Sequence, residues 1–163
     1  MRRLSLFLLV LLATEARPPG CVGQRILAKT EIDNDPFVQA SYLRHKPFVD
    51  QYQPALRSRQ RIANRFDAAQ RDYLLTYQVG PDRFVFYQTP TKTFIRSFAC
   101  TTPRVAFAYG VRVGMSQAAF ERVFHRKIAG TVATVGDTEG FEVYTFTFRR
   151  HAIARIDLEC QMD

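Results

Sequence analysis

The feature that most constrains the fold of this chain is the alternation of apolar and polar residues in its second half. The segments DYLLTYQV and RFVFYQ alternate on either side of the turn sequence Gly80-Pro81-Asp82. The same period of two returns in TKTFIRSFACTT, and later in FEVYTFTF and AIARIDLEC. Successive side chains of a strand point to opposite faces of a sheet, so this pattern indicates strands with one buried face. The chain is therefore predicted to form an antiparallel sheet from residues 73–109 and 130–161.

The supply of large apolar side chains supports a packed core. The 163 residues are 47% hydrophobic and include 14 Phe and 7 Tyr, so a chain of this length needs no metal or disulfide to fold. This composition excludes a disordered chain. The sequence also has no glycine repeat, heptads or second long apolar run, which excludes collagen, a coiled coil and a multi-pass membrane protein. We expect a leader over 1–21 and one α+β domain over 22–163, with helices packed on one face of the sheet.

Two segments have helical spacing. In 110–125 (GVRVGMSQAAFERVFH), Ser116 is a good N-cap and an apolar stripe follows it, which predicts a helix near 116–125. The 37–72 region is also predicted to be helical, with Pro54 in the first turn of its main helix. The apolar residues that recur there at roughly helical spacing are Leu56, Ala63, Phe66, Ala69 and Tyr73. RVAFAYG (104–110) is predicted to be a short fourth strand, and Asp33-Asn34-Asp35-Pro36 a turn.

The strongest electrostatic feature is the basic stretch from 57 to 71. It contains Arg57, Arg59, Arg61, Arg65 and Arg71 in a chain of formal net charge +8. Three interpretations compete for it: a solvated face, contact with anionic lipid headgroups, and binding to nucleic acid. The export signal described next argues against nucleic acid, and the aromatic residues here are too few to stack bases in series.

The N-terminus has the pattern of a secretory signal. Arg2 and Arg3 precede an apolar run from Leu4 to Ala13, which is too short to span a bilayer. Cleavage after Ala16 is one interpretation, and lipidation at Cys21, which follows a small residue, is a second. The protein is therefore expected in the periplasm or cell envelope, with Cys21 as an alternative membrane anchor.

The candidate chemistry is sparse. Export implies an oxidising compartment, in which Cys100 and Cys160 could form a disulfide, although both fall on apolar strand faces where buried inert thiols are common. Either thiol with His125 could instead form a nucleophilic pair. The acidic residues Asp137, Glu139 and Glu142 lie near a glycine-flanked turn, where we expect neither a cleft nor a raised pKa. No nucleotide-binding, hydrolase or metal-ligand motif is present, so no catalytic residue, metal or cofactor is predicted.

A resemblance to a known family covers the last third of the chain. Gly114, Met115 and Ser116 open a short helix that three predicted antiparallel strands follow. Residues 110–161 thereby resemble the small-domain family of the β-lactamase inhibitor protein repeats and the lipoprotein subunit of the outer-membrane β-barrel assembly machinery. The chain also resembles uncharacterised envelope lipoproteins of Gram-negative bacteria. The resemblance implies protein binding without catalytic residues.

These observations favour a non-enzymatic envelope protein that binds another envelope protein or supports envelope assembly. Tyr and Arg are enriched at protein interfaces, so the candidate binding residues are Arg57, Arg61, Arg65, Tyr77 and Tyr87. Tyr73, Tyr109 and Tyr144 are further tyrosines expected on the exposed faces of strands. The alternatives are a small hydrolase that uses a carboxylate or thiol, and a peripheral binder of anionic membranes through a 57–71 helix.

Overall fold

The computed structural model describes residues 28–160. These residues form eight strands, three α-helices and a single 3₁₀ turn at Ala108–Gly110. The helices are α1 (Asp35–Ser41), α2 (His45–Tyr52) and α3 (Gln117–Phe124). The strands are β1 (Lys29–Asp33), β2 (Ala55–Ala63), β3 (Arg71–Val79), β4 (Asp82–Gln88), β5 (Thr93–Cys100), β6 (Val132–Gly136), β7 (Glu142–Arg149) and β8 (Ala152–Cys160). The predicted leader, its cleavage site after Ala16 and Cys21 lie outside the described residues.

All eight strands join one sheet in the order β1-β6-β7-β8-β5-β4-β3-β2. β1 runs parallel to β6, and the other neighbours are antiparallel. The predicted α+β class with an antiparallel sheet is therefore confirmed, with one parallel edge strand added. β1 and β2 are the two edges of this sheet, and the contacts that they leave open determine where a partner could bind.

One row of side chains crosses the whole sheet and shows how the core is built. Each member lies directly opposite the next in the strand register, so the row lies on one face. Most members are bulky and apolar, and the central six are buried. In strand order from one edge to the other, the row is Leu56, Tyr77, Phe84, Phe98, Leu158, Tyr144, Val135 and Ile32.

The three helices pack on the face that this row occupies. In α2, the ring of Phe48 lies 4.7 Å from that of Phe84. In α1, the ring of Phe37 lies 5.3 Å from that of Tyr144. In α3, Phe120 packs against β7 in the same way. Within residues 28–160 the opposite face carries no helix, so this part of the chain forms two layers with the aromatic core between them.

The hairpin and meander predicted from the alternation are confirmed. β3 and β4 pair across Gly80-Pro81, and β6, β7 and β8 follow α3 as an antiparallel meander. Ser116 caps α3 as predicted, with its Oγ accepting a hydrogen bond from the backbone N–H of Ala119 at 3.2 Å. Arg150 and His151 form the tight turn between β7 and β8, both with positive φ.

The helix predicted to start at Pro54 is wrong, because residues 55–63 form the edge strand β2. The helices of this region precede Pro54. Asn34 begins α1 by accepting the Phe37 N–H on its Oδ1 at 2.9 Å, and Pro36 stands in its first turn. The apolar spacing after Pro54 does not mark a buried helix face, since β2 has almost no buried residue. Pairing with β3 decides the conformation instead.

The predicted fourth strand at 104–110 is also wrong. This segment forms turns and the 3₁₀ turn, with Val105 and Phe107 buried against the core. Tyr109 has φ of 57°, which a strand does not allow. β5 pairs with β4 on one side, and on the other side it pairs with β8, the last of the described strands. This long-range pairing, and not a strand next to β5 in the sequence, joins the two halves of the sheet.

Of the two interpretations of Cys100 and Cys160, the disulfide is not formed, and both are free thiols. Cys100 of β5 lies opposite Ile156 of β8, four residues before Cys160. At about 3.3 Å per residue this offset separates the two cysteines by roughly 13 Å along the strands. A disulfide requires Cα atoms within about 7 Å, so the register excludes it.

Candidate binding surfaces at the two ends of the sheet

The first candidate surface is the outer edge of β2. Within the described residues β2 pairs with β3 alone, and it is the last strand on its side. Eight of its nine residues are exposed and Ile62 is half-buried. Strands usually bury one face, whereas β2 leaves both faces and one backbone edge open. It therefore presents unpaired N–H and C=O groups along its length.

The strand β2 carries three arginines, Arg57, Arg59 and Arg61, whose positions follow from the pairing with β3 and from side-chain contacts. Arg59 and Arg61 lie opposite Leu75 and Tyr73 of β3 and so share the helix-bearing side of the sheet. The Arg59 guanidinium lies 3.9 Å from the centre of the Tyr73 ring, a cation–π contact. On β2, Arg57 donates from Nε to Oε1 of Gln78 at 2.7 Å. These contacts hold two arginines in place, and no acidic side chain is paired with Arg57, Arg59 or Arg61 in the described residues.

Beyond β2, the loop of residues 64–70 is held by a network of side-chain hydrogen bonds. Asn64 Oδ1 accepts the backbone N–H groups of Phe66 and Asp67, at 2.8 and 2.9 Å. Asn64 Nδ2 also donates to the Asp72 carboxylate at 2.7 Å, and Gln70 Nε2 donates to it at 2.8 Å. The tip residue Phe66 nevertheless has 84% of its surface exposed. The loop thus has a fixed base and an uncovered aromatic tip.

Asp72 is the anchor of this network. Its side chain is buried, and the Tyr87 hydroxyl donates a hydrogen bond to it in addition to the two amides. Desolvation would raise the pKa of this carboxyl, but the hydrogen bonds from Tyr87, Asn64 and Gln70 together outweigh it and hold the pKa below its usual value. Asp72 is therefore ionised at neutral pH and ties the 64–70 loop to β4.

The five residues predicted to bind a partner do not all lie on the surface. Arg57, Arg61 and Arg65 are exposed, as that hypothesis requires. Tyr77 is only 9% exposed and packs in the core, where its hydroxyl lies 3.0 Å from His45 Nε2. Tyr87 is half-buried and is used to hold Asp72. The expectation that Tyr77 and Tyr144 lie on exposed faces is wrong, since both belong to the core beneath the helices.

The second candidate surface is an acidic cleft near the other end of the sheet. It has a volume of about 740 Å³ between α1 and the β6–β7 hairpin. The residues that line it are Asp35, Val38, Gln39, Tyr42, Arg44, Asp137, Thr138, Glu139 and Glu142. The Asp35 carboxylate accepts hydrogen bonds from the Thr138 backbone N–H at 2.7 Å and from its hydroxyl at 3.0 Å. Helix and hairpin, 103 residues apart in the chain, are joined by this contact.

The prediction that the turn near Glu142 offers neither a cleft nor a raised pKa is wrong on both points. Burial is the main cause that raises the pKa of Glu142, and the neighbouring Asp137 adds to it. Burial also raises the pKa of Tyr42, to which the charge of Glu142 contributes. A cation or a basic side chain suits such a cleft. Asp137 and Asp35 already accept backbone hydrogen bonds there, which gives them a structural role.

Neither cysteine has the environment of a nucleophile. Burial raises the pKa of Cys100 far above its usual value, and the nearby Asp82 and Asp157 add to the effect. Burial raises the pKa of Cys160 to about 12, with contributions from Glu142 and Asp137. Because both pKa values are raised, both thiols stay protonated at neutral pH. The thiolate is the reactive form of cysteine, so neither group is activated as a nucleophile. Cys160 instead donates weakly to the backbone carbonyl of Ile95, at 3.5 Å.

Other classes of site receive no support from residues 28–160. In that part of the chain no three His, Cys, Asp or Glu side chains come together in a way that could hold a metal ion. No helix of the described residues is long and apolar enough to cross a membrane. Comparisons with protein families, curated proteins and solved structures find no match. The family resemblance of residues 110–161 therefore stays a prediction.

Proposed function

We propose that this protein is an exported, non-enzymatic binding module that holds an extended acidic segment of another envelope protein along β2. The observation that carries the proposal is the open backbone edge of this nine-residue strand. Eight of the nine residues are exposed, and three of them are arginines. Export and the envelope location rest on the leader sequence.

The backbone supports binding by strand addition. An extended peptide can pair with an open sheet edge through main-chain hydrogen bonds, while its side chains confer selectivity. β2 is longer than a typical strand of five or six residues, so it offers a long pairing edge. Because β3 already holds β2 in an extended conformation, continuously from Ser58 to Ala63 after a bulge at Arg57, a partner would not have to order this strand.

The charge supports an acidic partner. Arg59 and Arg61 project on one side of the strand, at the spacing of about 7 Å that separates alternate residues. Carboxylates on alternate residues of an added strand would face them. A second copy of β2 would instead bring arginine against arginine, since Arg57, Arg59 and Arg61 all lie on this strand. The same charges that attract an acidic segment thus disfavour self-pairing.

The acidic cleft gives less support to the alternative, a hydrolase that uses a carboxylate or thiol. Glu142 has the raised pKa of a proton donor. The thiols are protonated, with Cys100 buried and Cys160 half-buried, and Asp35 and Asp137 are engaged with backbone N–H groups. The open edge of β2 has no comparable structural task, which is why we prefer the binding function.

The test uses a capped peptide of alternating Glu and Val residues, with a Lys–Val peptide of the same length as its counterpart. We expect the acidic peptide to slow hydrogen exchange of amides in 55–63, measured by NMR, and the basic peptide to leave them unchanged. Replacing Arg59 or Arg61 with Ser should weaken binding about two- to fivefold each, the range of an exposed ion pair. Replacing the exposed residues Arg122 of α3 and Arg126, which follows α3, with Ser is the matched control. Equal affinity for both peptides, or protection elsewhere in the sheet, would contradict the proposal.

A further inference from the structure

The 64–70 loop next to β2 suggests a second contact, distinct from the strand edge. Phe66 at its tip is the most exposed of the large apolar residues in 28–160, at 84%. The neighbouring Ala68 and Ala69 are exposed as well. Phe66 and its alanine neighbours thus place a small apolar surface at the tip of the loop, and burial of such a ring against another apolar surface would be favourable.

The loop is built to keep this ring outside. The hydrogen bonds of Asn64 and the buried Asp72 fix its base, and Asp67 Oδ1 accepts the Ala69 N–H at 2.8 Å. Phe66 therefore cannot turn back onto the core without breaking several hydrogen bonds. The one acidic side chain of the loop, Asp67, is outnumbered by the nearby Arg65 and Arg71.

Arginine residues lie next to the loop that carries the exposed ring. Arg65 precedes it, with its guanidinium 5.7 Å from the ring centre, and Arg71 follows the loop. Arg61 lies on the adjoining part of β2. All three arginines are exposed, and none is paired with a carboxylate in the described residues. An exposed aromatic ring next to unpaired arginines is complementary to a lipid surface, where apolar chains lie beneath anionic phosphates.

We propose that the 64–70 loop docks the protein on an anionic membrane surface, with Phe66 entering the interface and Arg61, Arg65 and Arg71 contacting lipid phosphates. The inference does not depend on the peptide partner of β2, because it uses the tip of the loop and not the backbone edge. It replaces the predicted 57–71 helix with a different device. The apolar contact comes from a single rigid tip, and not from the face of an amphipathic helix.

The absence of tryptophan from the chain makes the test direct. In Phe66→Trp, the single indole reports where the loop lies. With vesicles of equal phosphatidylcholine and phosphatidylglycerol we expect a blue shift of its emission and quenching by brominated acyl chains. Vesicles of phosphatidylcholine alone should bind much less. The matched control is Phe141→Trp, which places the indole in the acidic β6–β7 hairpin at a residue that is 56% exposed. Its emission should not change.

Vesicle sedimentation measures the energetic contributions. Phe66→Ser should weaken binding to the anionic vesicles about tenfold, whereas Phe141→Ser should not. Replacing Arg65 or Arg71 with Gln should weaken it about fivefold each, the effect expected for one basic residue near an anionic surface. Added salt should weaken binding further. Because Phe66 is exposed, the Ser variant should retain the wild-type melting temperature, which separates lost docking from lost folding.

Three results would overturn the proposal. The first is equal binding to both kinds of vesicle, and the second is equal loss of binding in the Phe66 and Phe141 variants. The third is that Phe66→Ser weakens binding of the acidic peptide while the wild-type protein does not bind vesicles. That result would mean that the Phe66 ring contacts a polypeptide and not a membrane. Binding of the acidic peptide to β2 that survives Phe66→Ser would leave the proposed function standing whatever the vesicles show.

Discussion

β7 and β2 have nearly the same length and belong to the same sheet, yet they occupy opposite environments. In β7, Tyr144, Phe146 and Phe148 are buried, and strands flank it on both sides. In β2 none of the nine residues is buried, and a strand flanks it on one side only. Both remain strands. For β7 the burial of side chains is sufficient reason, whereas for β2 the reason is the backbone pairing with β3.

The comparison separates the part of the sheet that stabilises the fold from the part that is free to serve a partner. Aromatic side chains in β7 contact two helices, through Phe37 of α1 and Phe120 of α3. β2 makes no such contact, and its side chains touch mainly those of β3 and β4. Changes in β7 should therefore affect unfolding, and changes in β2 should affect association.

The largest effect is expected from Phe146→Ala. The ring is fully buried between α1 and α3, so its removal leaves a cavity that the aromatic neighbours cannot fill. We expect the free energy of unfolding to fall by about 3–5 kcal/mol, measured by urea denaturation. Phe66→Ala is the matched control, because the same truncation at an exposed site should change stability by no more than about 0.5 kcal/mol. Comparable losses in the two variants would remove the distinction between the regions.

A smaller effect, and one that depends on pH, is expected at the first residue of β7. Burial and Asp137 raise the pKa of Glu142 in the folded protein above the ordinary value of 4.5. The folded state therefore prefers the protonated form of this residue, so the contribution of Glu142 to stability is greatest below pH 4.5 and falls as the pH rises through the folded pKa. Glu142→Gln should abolish this decline, so that the variant is more stable than wild type at neutral pH and similar to it in acid.

Thermal unfolding across this pH range checks the prediction at Glu142. The exposed Glu139 lies on the same hairpin, so Glu139→Gln removes an identical charge without the burial. This control should leave the slope of stability against pH unchanged. A Glu142→Gln protein that keeps the wild-type slope would show that another group causes it.

The smallest effect on folding is expected from β2. Replacing Arg57, Arg59 and Arg61 together with Thr should change the free energy of unfolding by no more than about 0.5 kcal/mol for each residue, because all three are exposed. It should however promote self-association through the uncharged edge, detected by light scattering. The same replacement at Arg112, Arg122 and Arg126 removes equal charge away from the edge. If this control also associates, net charge and not the edge protects the protein.

Sequence reasoning succeeded where side-chain pattern and structure have the same cause. The alternation around Tyr144, Phe146 and Phe148 arises because one face of β7 is buried, and Ser116 begins α3 through its own hydroxyl. It failed at β2, since a strand exposed on both faces carries no alternation and chance spacing resembled a helix. The acidic residues of the β6–β7 turn were noticed, but not the cleft, because Asp35 and α1 reach it from 103 residues away.

The sequence by itself determined the α+β class, the aromatic core and the positions of the hairpins, since period and turn chemistry are local properties. It also marked the arginines as the dominant charge. That these arginines lie on an edge strand, and that β8 joins the two predicted halves into one sheet by pairing with β5, follows only from the tertiary structure. It likewise kept Cys100 and Cys160 apart. Strand order and register depend on pairings between residues distant in the chain, and no local pattern encodes them.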